Sequence, residues 1–252
     1  MENLSDILNG FEPISLEEMD AVELMDRTDT KFLLSKSEFY RIIPELQANY
    51  RTLSVEGNRI SKYETLYYDT PEFEFYDLHQ RGKKNRYKIR MRKYVDSDLS
   101  FLEVKFKNNK GRTLKHRKVI PQIDAELSEN DKYFIAEMTG LKGSYESKIM
   151  NRFDRITLVN KNEPERLTFD INLGFDQNGE LAELPEIVIA ELKQEDFNRC
   201  STFAKLLKDK HIRPERVSKY CLGIALMETD VKKNLIKEKL KRIAKISDQS
   251  AA

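Results

Sequence analysis

Four cations alternate along one short segment of the chain, which reads R-Y-K-I-R-M-R-K-Y from residue 86 to residue 94. They are Arg86, Lys88, Arg90 and Arg92. In a β-strand, every second residue stands on the same face, so these side chains would project together about 6.6 Å apart. Like charges placed side by side on a sheet are destabilising. A strand face of this kind therefore indicates a strongly anionic ligand.

The two following segments repeat this alternation. In residues 101–107, Glu103 and Lys105 share one face of a predicted strand, and in residues 113–119 Lys115 and Arg117 do the same. Because the bias recurs on several strands, we predict an α+β protein built on a closed antiparallel β-barrel of about eight strands. The charged faces would line a basic bore, with helices flanking the barrel. An open sheet with solvated basic faces is the alternative.

The distribution of charge supports a local anion site. Net charge is only +1 over 252 residues, which gives no overall electrostatic case for nucleic acid binding. Residues 1–26 hold eight acids and no Lys or Arg, residues 81–119 have a net charge of +12, and residues 120–198 have a net charge of −9. We expect three parts: an acidic helical segment at 1–26, the barrel at 27–227 and a basic helical tail at 228–252.

Two cysteines, Cys200 and Cys221, are too few for a disulfide framework and suit a reducing compartment. The first residues lack the basic and apolar regions of a signal peptide, and no apolar run is long enough to span a bilayer. We therefore expect a cytoplasmic protein without a membrane span. No G-x-x-x-x-G-K-[ST] loop is present, which excludes phosphate binding by a P-loop.

Six short motifs resemble, in order, those of the VTC domain, the polyphosphate polymerase domain of vacuolar transporter chaperone complexes. They are R-T-D-T-K-F (27–32), Y-E-T-L-Y-Y-D-T (63–70), Y-K-I-R-M-R (87–92), F-L-E-V-K (101–105), E-L-K (191–193) and R-V-S-K-Y (216–220). That family is placed among the triphosphate tunnel metalloenzymes, whose antiparallel barrel encloses a basic tunnel. The resemblance covers residues 10–227.

Site residues follow from the resemblance and from the alternating strand faces. The resemblance implies that Glu191 ligates Mn²⁺ or Mg²⁺ and that Ser218 contacts the anion. Arg216 stands where the family usually has a lysine. We assign catalytic roles to Arg90, Arg92, Lys105, Arg152 and Arg166. We assign phosphate binding to Lys31, Lys115, Arg117, Arg216, Ser218 and Lys219.

The function implied is a metal-dependent polyphosphate polymerase, with ATP and inorganic polyphosphate as its partners. A triphosphatase of the same fold is one alternative, although such enzymes often begin with an E-x-E-x-K strand. Here that strand reads R-T-D-T-K, in which only Asp29 is acidic. A non-catalytic polyphosphate- or RNA-binding module is another alternative, and RNA binding would predict aromatic stacking platforms beside exposed cations. The sequence leaves the oligomeric state undetermined.

Overall fold

The structure is a computed structural model that describes residues 3–21, 28–110, 112–195, 198 and 200–251. In these residues, the strands are β1 (Glu12–Ile14), β2 (Thr28–Ser35), β3 (Tyr50–Leu53), β4 (Ser61–Asp69), β5 (Arg86–Tyr94), β6 (Leu99–Lys107), β7 (Thr113–Ile120), β8 (Glu146–Asn160), β9 (Glu165–Gln177), β10 (Glu180–Leu184) and β11 (Ile187–Gln194). The helices are α1 (Leu4–Asn9), α2 (Leu16–Ala21), α3 (Lys36–Ile42), α4 (Glu74–Gln80), α5 (Glu129–Thr139), α6 (Thr202–Asp209), α7 (Lys219–Met227) and α8 (Lys237–Ala251). A 3-10 turn, Ile43–Leu46, continues α3.

All of the strands belong to one sheet. Its main path runs β2-β11-β9-β8-β4-β5-β6-β7, while β3 pairs with β8, β10 pairs with β9, and β1 joins β3 in parallel. The pairs along the main path are antiparallel. The predicted α+β class with an antiparallel sheet agrees with this architecture.

The predicted closed barrel is wrong. In the described part of the chain, β2 and β7 are the two ends of the path and do not pair with each other. Nearly every side chain of β7 is exposed, including Leu114 and Val119, so among the described residues no further strand covers this end of the sheet. Alternation in the sequence shows which face is charged, but it carries no information on whether the end strands meet.

The open sheet is nevertheless strongly curved. Lys31 on β2 and Lys88 on β5 are separated by five steps in the strand order, which in a flat sheet would be about 24 Å. The charge of Lys88 still contributes to lowering the pKa of Lys31, and Asp29 on β2 affects the pKa of Lys107 on β6. The two halves of the sheet therefore face each other across a cleft.

Apolar clusters lie on both faces of the sheet. Outside the cleft, Phe39 of α3 and Phe203 of α6 pack around Phe169 of β9, and Ile135 of α5 belongs to the cluster that covers β5 and β6. Inside the cleft, α7 packs so tightly on the sheet that a Cβ at Gly223 would lie 2.5 Å from a ring carbon of Phe175. One part of the cleft is therefore filled by apolar packing, and the rest remains available to the charged residues.

The strands predicted at residues 86–94, 101–107 and 113–119 are confirmed as β5, β6 and β7, with shifts of at most two residues at their ends. A capping box between Ser15 and Glu18 opens α2, whereas the predicted boundary between the acidic segment and the barrel, at residues 26 and 27, lies outside the described residues. Residues 217–227, whose apolar sequence suits either a strand or a helix, contain α7. In the predicted helical segment, α1 and α2 are separated by the short strand β1, and neither β1 nor β10 is predicted from the sequence. Among the described residues, no helix has the length and apolarity needed to cross a membrane.

Candidate functional site

Strand register brings the charged side chains onto the inner face of the curved sheet. Opposite residues share a face, and the pairs Tyr67–Arg90, Arg90–Glu103 and Glu103–Arg117 connect four neighbouring strands. We call this surface the cationic face. Its charged members are Asp29, Lys31, Arg86, Lys88, Arg90, Arg92, Glu103, Lys105, Lys107, Lys115, Arg117, Arg155, Arg166, Asp170, Glu191 and Lys193.

Glu103 is the centre of one charge cluster on this face. It is fully buried and pairs with Arg90 at 2.5 Å and with Lys115 at 2.5 Å. Burial would raise the pKa of this carboxyl, but the surrounding cations, Arg90 first, outweigh burial and hold the pKa far below its usual range. Glu103 is therefore ionised and neutralises part of the cluster.

Two cations of the same cluster have no carboxylate of their own. In the described residues, no acidic group lies within ion-pairing distance of Arg92 or Lys105. Arg92, which is 8% exposed, donates to the Thr65 hydroxyl at 3.3 Å. The charge of Arg90, together with burial, lowers the pKa of Lys105 well below its ordinary value. The positive charges of Arg92 and Lys105 are therefore partly desolvated and are not fully neutralised by carboxylates. Such a site favours the binding of a multivalent anion.

A second cluster surrounds Asp170 on β9. The Arg155 guanidinium donates to both oxygens of this carboxylate, at 2.6 and 2.8 Å, and Lys219 at the start of α7 also pairs with it. Burial opposes ionisation of Asp170, but Arg155 and Lys219 prevail and keep its pKa below the usual range. Arg155 is not among the site residues predicted from the sequence, in which the available signal is its position two residues after Phe153, on the same strand face.

Glu191 lies at a third position on the cationic face. Its carboxylate pairs with Lys31 on the neighbouring strand β2 and lies 3.3 Å from Lys193. Burial lowers the pKa of Lys31 to about 7, and the nearby charges of Lys219, Lys193 and Lys88 act in the same direction, against the opposing effect of Asp29. The predicted metal ligand is therefore held between two lysines.

Helix α7 brings its first residues to the cleft. Lys88 donates to the Ser218 hydroxyl at 2.9 Å, and the backbone N–H of Glu215 donates to the carbonyl of Lys31 at 2.7 Å. Further along α7, the Tyr220 hydroxyl donates to the buried carboxylate of Asp69, which also accepts backbone N–H groups at the start of α4. These contacts fix Ser218 and Lys219 against the cationic face.

The remaining predicted site residues are more dispersed. Arg152 lies on the opposite face of β8, half exposed, with Glu64 and Asp176 each at 3.3 Å. Arg166 shares the cationic face and donates to the carbonyl of Met19 at 3.0 Å. Arg216 is exposed, and its charge contributes to lowering the pKa values of Arg86 and Lys107. Arg117 stacks over Phe101 with its guanidinium carbon 4.9 Å from the ring centre.

A match to a known family accompanies this geometry. Residues 26–228 match the VTC domain. The chain belongs to the VTC domain family. No curated protein matches the chain.

Solved structures that are similar to this VTC domain are distant from it in sequence. The Hippeastrum protein HpAC1, a proposed adenylyl cyclase with a dominant triphosphatase activity, aligns with a TM-score of 0.50 at 16% identity, over 82% of this chain and 98% of its own. A proposed adenylate cyclase from Vibrio parahaemolyticus aligns with a TM-score of 0.45 at 14% identity, over 78% of this chain and 97% of its own. The likeness to the Hippeastrum protein is one of fold, and the family assignment rests on the match over residues 26–228.

The VTC family implies a divalent metal ion. The acidic residues of the cationic face fit such an ion if phosphate oxygens of the substrate complete its coordination. Among the described residues, no three His, Cys, Asp or Glu side chains come together as a metal site. Mg²⁺ usually binds through one or two carboxylates together with substrate phosphates and water. Glu191, with Asp29 on the neighbouring strand, can supply that much. The residues present therefore suit a metal that binds together with a phosphate substrate.

Proposed function

We propose that this VTC domain is a metal-dependent polyphosphate polymerase that transfers the γ-phosphoryl group of ATP to the end of a growing polyphosphate chain. The observation that carries the proposal is the position of Lys105, which lies between Lys88 and Lys115 in the strand register, close to Arg90 and Arg92. A single carboxylate ligand would compensate little of this charge. A chain of linked phosphates would place a negative charge opposite each cation.

The roles of the residues follow from the chemistry of phosphoryl transfer. A terminal phosphate oxygen of the acceptor attacks the γ-phosphorus, the bond to the β-phosphate oxygen breaks, and ADP leaves. Arg90, Arg92 and Lys105 would hold the phosphates and stabilise the charge on the transferring group. Lys31, Lys88 and Lys219 would bind neighbouring phosphates, with Ser218 donating a hydrogen bond.

Glu191 is the residue that would hold Mn²⁺ or Mg²⁺ on the phosphate oxygens. The bound ion would supply neutralisation of phosphate charge beyond what the arginines provide. Lys31 competes for the same carboxylate, so an ion and Lys31 would share or exchange Glu191.

A triphosphatase is the second candidate, favoured by the fold shared with the Hippeastrum protein, which has a dominant triphosphatase activity. Hydrolysis requires activation of a water molecule, for which a carboxylate or a further metal ligand is usual. On the cationic face, Glu103 and Asp170 already make close ion pairs with arginine. A terminal phosphate is already a nucleophile and needs no such base, which favours polymerisation over hydrolysis.

Incubation of the purified protein with ATP and Mn²⁺ or Mg²⁺, followed by gel separation, distinguishes the candidates. Polymerase activity yields long-chain polyphosphate and ADP, and it stops when EDTA is added. Hydrolysis yields free phosphate from ATP or tripolyphosphate with no long chains. Tight tripolyphosphate binding with neither product would indicate a binding module, and absence of both binding and products would contradict the proposal.

A further inference from the structure

Three partly exposed aromatic rings lie side by side on the cationic face. Tyr63 on β4 is opposite Tyr94 on β5, with 4.9 Å between their ring centres, and Tyr94 lies 5.8 Å from Phe101 on β6. We call Tyr63, Tyr94 and Phe101 the aromatic patch. Neighbouring rings of this kind are usually buried in a core, yet all three retain solvent exposure.

The aromatic patch packs against a buried ring and has an arginine on each side. The buried ring of Phe153 stacks against Tyr63 at 5.1 Å with an interplanar angle of 5°. The guanidinium carbon of Arg92 lies 5.7 Å from the centre of the Tyr63 ring. Arg117 lies over Phe101 on the opposite side of the patch. The rings therefore form a fixed apolar surface that adjoins the residues proposed to hold phosphate.

Strand geometry gives the separation between the patch and the phosphate-binding cations. Tyr94 is two residues beyond Arg92 and four beyond Arg90 on the same face of β5, or about 7 and 13 Å along the strand. This span matches the extent of a nucleoside triphosphate from its base to its terminal phosphate. Inorganic polyphosphate has no group that would use an aromatic surface.

We propose that the aromatic patch is a nucleobase-binding subsite, at which the base of a nucleoside triphosphate stacks while its phosphates extend from Arg92 towards Lys88. The inference rests on the proposed function, because it assigns a place to the nucleotide substrate. Bases of every kind stack on aromatic side chains, since each presents a flat π face. The subsite would therefore distinguish nucleotides from inorganic phosphate chains and orient the γ-phosphate towards Glu191.

A single strand of RNA or DNA also binds through aromatic rings and cations, but it needs an exposed groove that follows its backbone. Here the nearest cations along β5, Arg92 and Arg90, are 8% and 7% exposed. The terminal phosphates of a nucleotide can reach such buried groups, whereas a nucleic acid strand carries a bulky nucleoside between successive phosphates and cannot. The burial of these arginines favours a mononucleotide.

The test compares two ligands that differ by the nucleoside. Calorimetry in the presence of Mg²⁺ would measure binding of a non-hydrolysable β,γ-imido analogue of ATP and of tripolyphosphate. The variant combines Tyr94→Leu with Phe101→Leu, and Phe101→Leu alone serves if the double variant does not fold. The control is Phe106→Leu on the same strand, whose ring lies on the opposite face and packs against Tyr87 at 4.7 Å.

We expect the patch variant to bind the ATP analogue about five- to 100-fold more weakly while its affinity for tripolyphosphate changes less than about twofold. Phe106→Leu should leave both affinities unchanged. An equal loss for both ligands, or no loss for the analogue, would overturn the nucleobase subsite while leaving a phosphate site intact. A single-stranded RNA that binds more tightly than the analogue, and is lost in the patch variant, would also overturn it. Failure of the unaltered protein to bind either ligand would instead contradict the proposed function.

Discussion

The side-chain nitrogen of Lys88 lies 2.9 Å from the hydroxyl oxygen of Ser218 and donates a hydrogen bond to it. Ser218 is also the N-cap of α7, where its oxygen accepts from the backbone N–H of Cys221 at 3.4 Å. One hydroxyl thus joins a cation in the middle of the sheet to the start of the helix that carries Lys219. Local helix capping and the arrangement of the site depend on the same atom.

Ser218→Ala should therefore reduce both stability and ligand binding. Loss of the cap should cost about 1 kcal/mol of the free energy of unfolding, and loss of the hydroxyl should weaken tripolyphosphate binding several-fold because Lys88 and Lys219 are less well held. Ser201→Ala is the matched control, since Ser201 caps α6 away from the cleft through the N–H of Ala204. Urea unfolding and calorimetry would show a similar stability loss in both variants. Equal binding losses in both would contradict a role for Ser218 in the site.

Replacing Lys105 should have opposite effects on stability and on binding. Lys105→Met removes a cation repelled by Arg90, so the ligand-free protein should melt at a higher temperature. The same change should reduce the increase in melting temperature that tripolyphosphate produces. Lys208→Met, at an exposed position of α6, is the control and should alter neither measurement. A lower melting temperature in Lys105→Met would mean that this lysine stabilises the ligand-free fold and would contradict its proposed role in ligand binding.

The lowered pKa of Lys105 also predicts a pH dependence. The unfolded chain holds this proton up to a pH near 10.5, whereas the folded protein releases it at a lower pH. Between those two pH values the unfolded state binds more protons, so the stability of the ligand-free protein should rise with pH. Tripolyphosphate favours the protonated lysine, and its affinity should fall over the same interval. In Lys105→Met, both the stability and the tripolyphosphate affinity should depend less on pH. An unchanged pH dependence in this variant would mean that other groups cause it.

Arg155 and Arg152, three residues apart on β8, should behave differently when replaced. Arg155→Ala leaves the buried carboxylate of Asp170 without its bidentate partner and should cost about 3 kcal/mol of unfolding free energy. It should also weaken tripolyphosphate binding. Arg152→Ala removes a half-exposed side chain from the opposite face and should change stability by less than about 0.5 kcal/mol, with binding unaffected. Chemical denaturation and calorimetry test both variants, and a binding loss confined to Arg152→Ala would reverse the assignment.

Glu191→Gln tests the metal ligand. Removing the negative charge should lower turnover of ATP by about 100-fold or more, the usual scale for losing a group that stabilises transition-state charge. The activation of the enzyme by Mn²⁺ should shift to higher metal concentration. Glu180→Gln, at an exposed position of β10, is the control. Near-normal turnover with unchanged metal dependence in Glu191→Gln would place the ligand elsewhere.

Alternation predicted the strands of the site well, because a period of two fixes the face of every residue on a regular strand. Arg90, Lys105 and Lys115 lie on one face as expected. On β8 alternation holds but does not tell which set of residues faces the site, and the extra residue of the β8–β9 register shift lies in β9, where Gly174 to Ile171 is opposite Arg152 to Asp154. Arg152 and Arg155 are an odd number of residues apart and point to opposite faces. The sequence offers both, and only the pairing partners of β8 decide between them.

Two further features could not be predicted from the sequence. They are whether the sheet closes and where the chain runs after β11. Both depend on contacts between residues far apart in the chain, such as the hydrogen bond from Glu215 to Lys31. Residues 217–227 are apolar enough for either a buried strand or a buried helix. The N-cap at Ser218 and the close contact of Gly223 with Phe175 favour the helix, but the second of these requires knowledge of the sheet.

Helix α8 packs against the domain and therefore belongs in any fragment that is expressed for experiments. The match to the VTC family ends at residue 228, yet Ile236 and Ile243 are 5% and 3% exposed within the apolar cluster that includes α7. Arg242 donates to the carbonyl of Leu33 and pairs with Glu215 at 2.9 Å. A fragment that ends at residue 228 would expose the apolar cluster around α7 to solvent, next to the cationic face. It would also remove the contacts that hold the loop at Glu215, which precedes Ser218. Expression plasmids for this domain should therefore extend through α8.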